Sequence, residues 1–314
     1  MQGRRVTVFG GSGFIGRHLT QRLAHAGARV RVAVRDAEGA KFLKPLGAVG
    51  QIVPYGVNIG DRAEVAAAVA DADAVVNATG ILAESGRQSF RRLHVDGPAA
   101  IAAAAAAAGC AKLVHLSAIG ADPEAKSRYA RSKGLGEAAV RDAFPAATIL
   151  RPSVVFGPED DFFNRFAAMA RCAPALPLID GGHTKFQPVY VGDVADAIVA
   201  ALDDPADRGR VFTLAGPRVF TFAELMALVC RQTGRRRLLL PVPLWAARIK
   251  AAFLQFLPTP PLTPDQVRLL ETDNIAAPGT PGLAELGVSA TDVEAVLPTY
   301  LGRFRPAAAR LARS

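Results

Sequence analysis

The sequence predicts an α/β fold: a doubly wound parallel sheet with helices on both faces, and a smaller irregular C-terminal lobe. Short apolar runs alternate with helix-like segments through the first half of the chain. A glycine-rich turn joins the first apolar run to the first amphipathic segment, and beyond Pro158 the alternation gives way to clustered proline and glycine. Strands separated by helices need crossover connections, so they pair in parallel and are covered on both faces.

Arg4 to Phe9 reads as the first strand and Ile15 to Ala26 as the first helix. Arg29 to Val34 and Gly50 to Pro54 are the next strands, and Asp61 to Ala70 has a helical pattern. Asp73 to Gly80, "DAVVNATG", is a buried strand running into a loop. The alanine-rich stretch after it makes sense as a tightly packed helix started by Pro98 and stopped by Gly109, since proline suits the first turn and glycine the end. Lys112 to Gly120 and Ala146 to Pro158 follow as strands. Further on, "CAPALPLIDGGHT" and "LPTPPLTPDQ" interrupt regular structure, while "RVFTLAG" and "FTFAELMALVCRQTG" add a late strand and helix. The expected division is a main domain over 1–158 to which 186–218 returns, a discontinuous smaller lobe over 159–302, and a basic tail over 303–314.

With 314 residues, half of them hydrophobic and 21% charged, the chain has a globular rather than a disordered composition. A net charge of +9 draws it toward anions, but no RNP, zinc-finger or helix-turn-helix pattern accompanies the charge, so nucleic acid is not an expected partner. Cys110, Cys172 and Cys230 are far apart and lack C-x-x-C spacing, which argues against a disulfide framework or zinc site and fits a reducing compartment. There is no charged-then-apolar leader and no run near the roughly 20 apolar residues of a membrane span. A cytoplasmic protein is expected.

Gly10, Gly13 and Gly16 follow the first strand directly, and Gly11, Gly13 and Gly16 also satisfy G-x-G-x-x-G. The first glycine permits a tight turn, the second lets backbone approach a pyrophosphate, and the third lets the helix pack on the sheet. Amide N–H groups at the helix start then point at the anion. The expected cradle of this Rossmann-like unit is Gly10, Gly11, Ser12, Gly13, Phe14, Ile15 and Gly16. An acidic residue at the end of the second strand would hold the adenosine ribose of NAD(H). Arg35 stands there instead and can pair with a 2′-phosphate, which favours NADP(H); the other reading has Arg35 solvated and Asp36 on the ribose.

Tyr129 and Lys133, in "YARSK", are four residues apart and therefore neighbours on a helix. Beside a nicotinamide, a lysine ammonium lowers a tyrosine's pKa and binds the ribose, leaving the phenol able to exchange a proton with a carbonyl or alcohol. Ser117, at the end of a strand, can hydrogen-bond the same oxygen, so Ser117, Tyr129 and Lys133 are the candidate catalytic residues. Ala78, Thr79 and Gly80 of "NATG", with Pro152 and Val155 of "LRPSVVFGP", are further expected cofactor contacts, and no metal is expected.

Together the glycine loop, "NATG", "YARSKGLGEAAVRDAFPAATILRPSVVFGPEDDFFNRFA" and "FQPVYVGDVADAI" resemble an atypical extended short-chain dehydrogenase/reductase. More narrowly, "RDAFP", "FGPEDDFFNRFA" and "FQPVYVGDV" are similar to the subunit-nine family of NADH:ubiquinone oxidoreductase, the nucleotide-binding accessory subunit of respiratory complex I. The resemblance implies a tightly held NADPH away from the electron path, complex I subunits as partners, and a structural or assembly role. A second relative, implicated in ubiquinone biosynthesis, implies the alternative of an active NADPH-dependent reductase or epimerase on a quinone-related or sugar-nucleotide substrate. The interval from Ser117 to Tyr129 is shorter than in extended members, which sets Ser117 apart from the pair.

Leu238 to Leu262 is unusually lipophilic. If Leu244 to Leu257 is helical, Arg248 and Gln255 share one side and Lys250 lies nearly opposite, a pattern suited either to an interface with anionic membrane or another subunit, or to an ordinary lobe helix. The tail carries Arg303, Arg305, Arg310 and Arg313, and a peripheral position on the inner face of the cytoplasmic membrane is the corresponding expectation. Asp160 and Asp161 are expected to cap the helix near Phe162, and Asp193 the helix after it, while His115 and His183 have no partners at metal-ligand spacing.

Overall fold

A computed structural model of the protein describes residues 1–86, 88–255 and 262–306. The end of the lipophilic segment (256–261) and Arg310 and Arg313 of the tail lie outside the described residues. The strands are β1 (Arg5–Phe9), β2 (Arg29–Val34), β3 (Ile52–Gly56), β4 (Ala74–Asn77), β5 (Lys112–Leu116), β6 (Thr148–Pro152), β7 (Val155–Phe156), β8 (Ala175–Ile179), β9 (Lys185–Phe186), β10 (Val189–Tyr190), β11 (Val211–Leu214), β12 (Phe220–Thr221) and β13 (Leu238–Val242). The helices are α1 (Phe14–His25), α2 (Arg62–Val69), α3 (Gly97–Ala107), α4 (Arg128–Ala143), α5 (Phe162–Cys172), α6 (Val191–Asp203), α7 (Phe222–Thr233), α8 (Leu244–Leu254), α9 (Pro264–Leu269) and α10 (Val293–Leu301).

Contacts divide the chain into two compact units, the first comprising 1–152, 191–214 and 279–289, the second 153–190, 215–278 and 290–314. The first unit holds a seven-stranded parallel sheet in the order β11-β6-β5-β4-β1-β2-β3. From β1 the chain winds outward through β2 and β3, then returns to β4 on the other flank. The carboxyl ends of β1 and β4 are therefore the switch point where an open sheet leaves a crevice. Every residue of β4 and β5 is buried, which is why their sequences read as continuous rather than alternating apolar runs.

One layer of the core joins Val65 and Ala68 of α2, Ile101, Ala102 and Ala105 of α3, and Val75, Leu113 and Ile149 of the sheet. The alanine run in α3 belongs here, because small side chains let it lie close to both α2 and α4. Lys112, at the start of β5, is buried and donates through Nζ to the carbonyls of Ala201 (3.1 Å) and Asp204, which satisfies acceptors at the end of α6.

The second unit packs α5, α7 and α10 around Phe156, Phe163, Leu225, Leu228, Val229 and Leu297. Its small sheets are β7 with β10, β9 with β12, and β8 with β13. Of the two aspartates expected to cap α5, Asp160 bonds to the first turn and Asp161 does not. Asp160 Oδ1 accepts the Asn164 N–H at 3.0 Å, and Oδ2 takes the Gly157 N–H and the Tyr300 hydroxyl. Asp161 occupies the N-cap position without a side-chain bond to the helix. Asp193 lies inside the first turn of α6, which β10 enters directly at Val191.

Candidate functional site

The glycine loop lies at the carboxyl end of β1. The register sets Phe9 beside Asn77, and Ala78 N–H donates to the Phe9 carbonyl at 2.9 Å, so the Ala78–Gly80 segment runs alongside Gly10. Gly10 has φ +77°, and a Cβ there would meet the Ala78 carbonyl oxygen at 2.9 Å. At Gly16 a Cβ would stand 2.2 Å from the Gly10 carbonyl oxygen. Helix α1 starts with Gly13 at the N-cap and has no side-chain cap, which leaves its first-turn N–H groups, those of Phe14, Ile15 and Gly16, facing outward for an anion. The residues thus fit a pyrophosphate: backbone donors and no side chain between them and the approaching group.

Beyond β2 is a cavity of about 370 Å³ lined by Ser12, Val34, Arg35, Asp36, Gly39 and Phe42. Arg35 is exposed at its rim. The Asp36 carboxylate turns back to accept the Gly39 N–H at 2.9 Å. Arg17, which the sequence did not single out, adds a second guanidinium: it lies 5.4 Å from the Phe42 ring centre and donates to the Ser12 carbonyl at 3.4 Å. Its signal was available, since it follows the third glycine and stands one helical turn from Gly13.

Tyr129 and Lys133 both lie on α4, whose N-cap Ser127 accepts from Ala130 N–H. Lys133 is buried, and Nζ donates to the Leu116 carbonyl at 3.1 Å, one residue before Ser117. Burial lowers its pKa to about 8, opposed by the negative charge of Glu137. The Tyr129 ring makes edge contacts with Phe90 and His94 at 6.0 and 5.5 Å between centres. Burial pushes its phenol up to about 12. Loss of solvation is the cause, and one of the three Lys133 N–H donors is engaged by the Leu116 carbonyl.

Gly80 sits over this group: a Cβ there would be 3.5 Å from Lys133 Nζ and 3.6 Å from His94 Nε2. Ser117 Oγ is buried with no hydrogen-bond partner among the described residues, which leaves it available to a ligand oxygen. Pro152 ends β6 and accepts the Ile119 N–H at 3.0 Å. Val155 falls in the second unit, in β7, paired with Val189 of β10.

Beneath the pair is a buried polar layer with no motif in the sequence. His94 Nε2 accepts the Ile81 N–H at 3.1 Å, so its Nδ1 carries the proton toward Ser132 Oγ at 2.8 Å, and Ser132 donates on to the Tyr129 carbonyl. Asn77 Oδ1 takes two bonds from Thr79, which turns its amide nitrogen to His115 Nδ1 at 3.0 Å. Burial first, then the Lys133 charge, holds both histidines down to about 3, hence neutral. Glu137 and Arg151 form a two-bond pair at 2.8 and 2.6 Å that ties α4 to β6. Among the described residues no three His, Cys, Asp or Glu side chains converge as a metal set.

Comparison with known proteins adds to this geometry. The NAD dependent epimerase/dehydratase family matches residues 6–215. The chain is 39% identical to NADH dehydrogenase [ubiquinone] 1 alpha subcomplex subunit 9, mitochondrial, of Arabidopsis thaliana, over 86% of this chain and 70% of that protein. It is 34% identical to the Mus musculus protein of the same name, over 95% of this chain and 80% of the other. Among solved structures, UDP-glucose 4-epimerase of Thermus thermophilus in complex with NAD superposes with a TM-score of 0.68 at 20% identity, covering 96% of this chain and 99% of the other. That likeness is one of fold.

Proposed function

The chain belongs to the NAD dependent epimerase/dehydratase family, and within it to the group of complex I alpha subcomplex subunit 9, and from that premise we propose that it is an NADP(H)-binding accessory or assembly component of a respiratory NADH:quinone oxidoreductase. It would act beside complex I subunits at the inner face of the cytoplasmic membrane. The observation that carries the reading is the cradle at Gly10 and Gly16, where a Cβ would run into backbone and the first-turn N–H groups of α1 would meet a pyrophosphate. Arg35 and Arg17 flank the cavity beyond β2, where a 2′-phosphate would be placed, and Asp36 is engaged by its own turn. A nicotinamide nucleotide would supply hydride chemistry at its nicotinamide end, beside Tyr129 and Lys133. This chain's own part is to hold the diphosphate, the 2′-phosphate and, through Lys133, the nicotinamide ribose.

Arg35→Ala is expected to weaken NADPH binding about tenfold, roughly one exposed charge-assisted hydrogen bond, while leaving NADH binding unchanged. Isothermal titration with both nucleotides checks it, and equal affinities in the wild-type protein would contradict the preference for NADP(H).

The second reading, an active NADPH-dependent reductase or epimerase, draws on Tyr129 and Lys133 sharing a face of α4 under Gly80. The accessory role gives the phenol no proton to transfer. Tyr129→Phe is therefore expected to keep nucleotide affinity within about fivefold of wild type, since one neutral hydrogen bond is at stake. Loss of a measurable turnover on a lipophilic or sugar-nucleotide substrate in that variant would instead support the enzyme.

Native mass spectrometry of the protein taken from its own membranes tests the proposal. The expected result is a mass increment of NADPH together with complex I subunits. A nucleotide-free, partner-free species would count against it.

A further inference from the structure

Helix α8 is packed the reverse of an ordinary lobe helix. Its small residues face inward, with Ala247 and Ala251 buried against Ile179 and Val267, while Trp245, Ile249 and Phe253 are 66%, 54% and 75% exposed. These three recur every fourth residue, so at about 100° per residue they form a continuous stripe directly opposite the alanines. On the same geometry Arg248 and Lys250 fall about 100° to either side of the stripe's centre line, one along each border. The polar pattern that looked broken in the sequence is thus two borders of an outward apolar face. Arg248 is paired with Glu271 at 2.7 Å, and Lys250 is exposed.

The strand before α8 repeats the theme. Leu238 and Leu240 of β13 are exposed, and exposed Arg236 stands two residues ahead of them. From Arg231 to Gln255 the chain has six basic residues and no acidic one. A stripe of tryptophan, isoleucine and phenylalanine bordered by long cationic side chains matches a surface that is apolar just below a plane of negative charge. There the aliphatic stems lie along the apolar layer and the cations reach the anions. At 11 residues the helix is too short to cross a bilayer, and no helix of the described residues is long and apolar enough to do so.

We infer that α8, with Trp245, Ile249 and Phe253 inserted and Lys250 at the phosphate level, is a docking surface for anionic lipid. The inference rests on the accessory-component reading only in bringing the protein to a membrane. Nucleotide binding is measured separately on the same samples, so failure of either claim is visible by itself.

Trp245 is the single tryptophan of the chain, and its emission reports this surface directly. The full-length protein is mixed with vesicles of phosphatidylcholine alone or with added phosphatidylglycerol. The expected result is a blue shift of Trp245 emission and co-sedimentation that rise with phosphatidylglycerol and fall with salt. Phe253→Asp and Ile249→Asp, both at exposed positions, should each lower vesicle partitioning at least about tenfold while circular dichroism and NADPH binding stay unchanged. Lys250→Glu should remove most of the preference for phosphatidylglycerol. Unshifted Trp245 emission at saturating anionic vesicles, or partitioning indifferent to both aspartate variants, would overturn the assignment. So would a shift seen only with detergent-solubilised membrane protein, which would mean that a protein covers the stripe.

Discussion

Gly16→Val should lower NADPH affinity by about a hundredfold or more, the loss expected when a tight loop must shift to relieve an overlap worth about 3 kcal/mol. The Cβ alone would stand 2.2 Å from the Gly10 carbonyl oxygen and 2.6 Å from Gly11 Cα, and both neighbours are backbone that cannot rotate away. Relief requires α1 to move off the loop, which carries its first-turn N–H groups away from the diphosphate. Gly13→Ala acts by another route: its Cβ meets only the Gly10 carbonyl oxygen, at 3.3 Å, so the loop is little disturbed, and any loss comes from the methyl meeting the diphosphate itself. Fluorescence titration of NADPH, with circular dichroism to show that each variant is folded, separates the two. Wild-type affinity in folded Gly16→Val would remove the cradle from the account.

The second large effect is acid sensitivity of the first unit. His94 and His115 are buried as neutral rings, each lowered from 6.5 to about 3. A group whose pKa is depressed by folding contributes its full stability above the unfolded value and loses it as pH falls toward the folded one, so the window opens below 6.5. Each ring's cost rises toward about 1.4 kcal/mol per pH unit as pH drops well below 6.5, so the pair removes about 2 kcal/mol between roughly pH 6.5 and 5.5. Urea unfolding should show this fall, and His115→Asn should remove about half of it, because one of the two titrating rings is gone. An unfolding free energy that is the same on both sides of the window would show that these histidines are hydrated or charged in the folded protein.

The fold was legible because its central strands are buried on both faces: "AVVN" and "KLVHL" have no solvent side to encode, and the run itself marks a central strand. The glycine loop was legible for the same kind of reason, since backbone approach leaves a residue type rather than a contact as its trace. Tyr129 and Lys133 could be placed on one face from their spacing alone.

The layer beneath them could not be read this way. His94 lies far from Tyr129 in sequence, and its two bonds come from a backbone N–H and a serine hydroxyl, neither of which constrains residue type strongly. Glu137 and Arg151 meet across a helix and a strand, so their pairing depends on the sheet being assembled. Helix α8 was undecided because apolar residues occur all around it. Which side packs was settled by size, with Ala247 and Ala251 permitting the close approach to Val267 that Trp245 or Phe253 would prevent.

Calorimetric titration of nucleotide-free, folded protein with NADPH and with NADH tests the central claim most directly. The account predicts about one equivalent of NADPH bound, about tenfold tighter than NADH, in line with one guanidinium on the 2′-phosphate. Heat of binding absent for both nucleotides, with the fold intact, would contradict it.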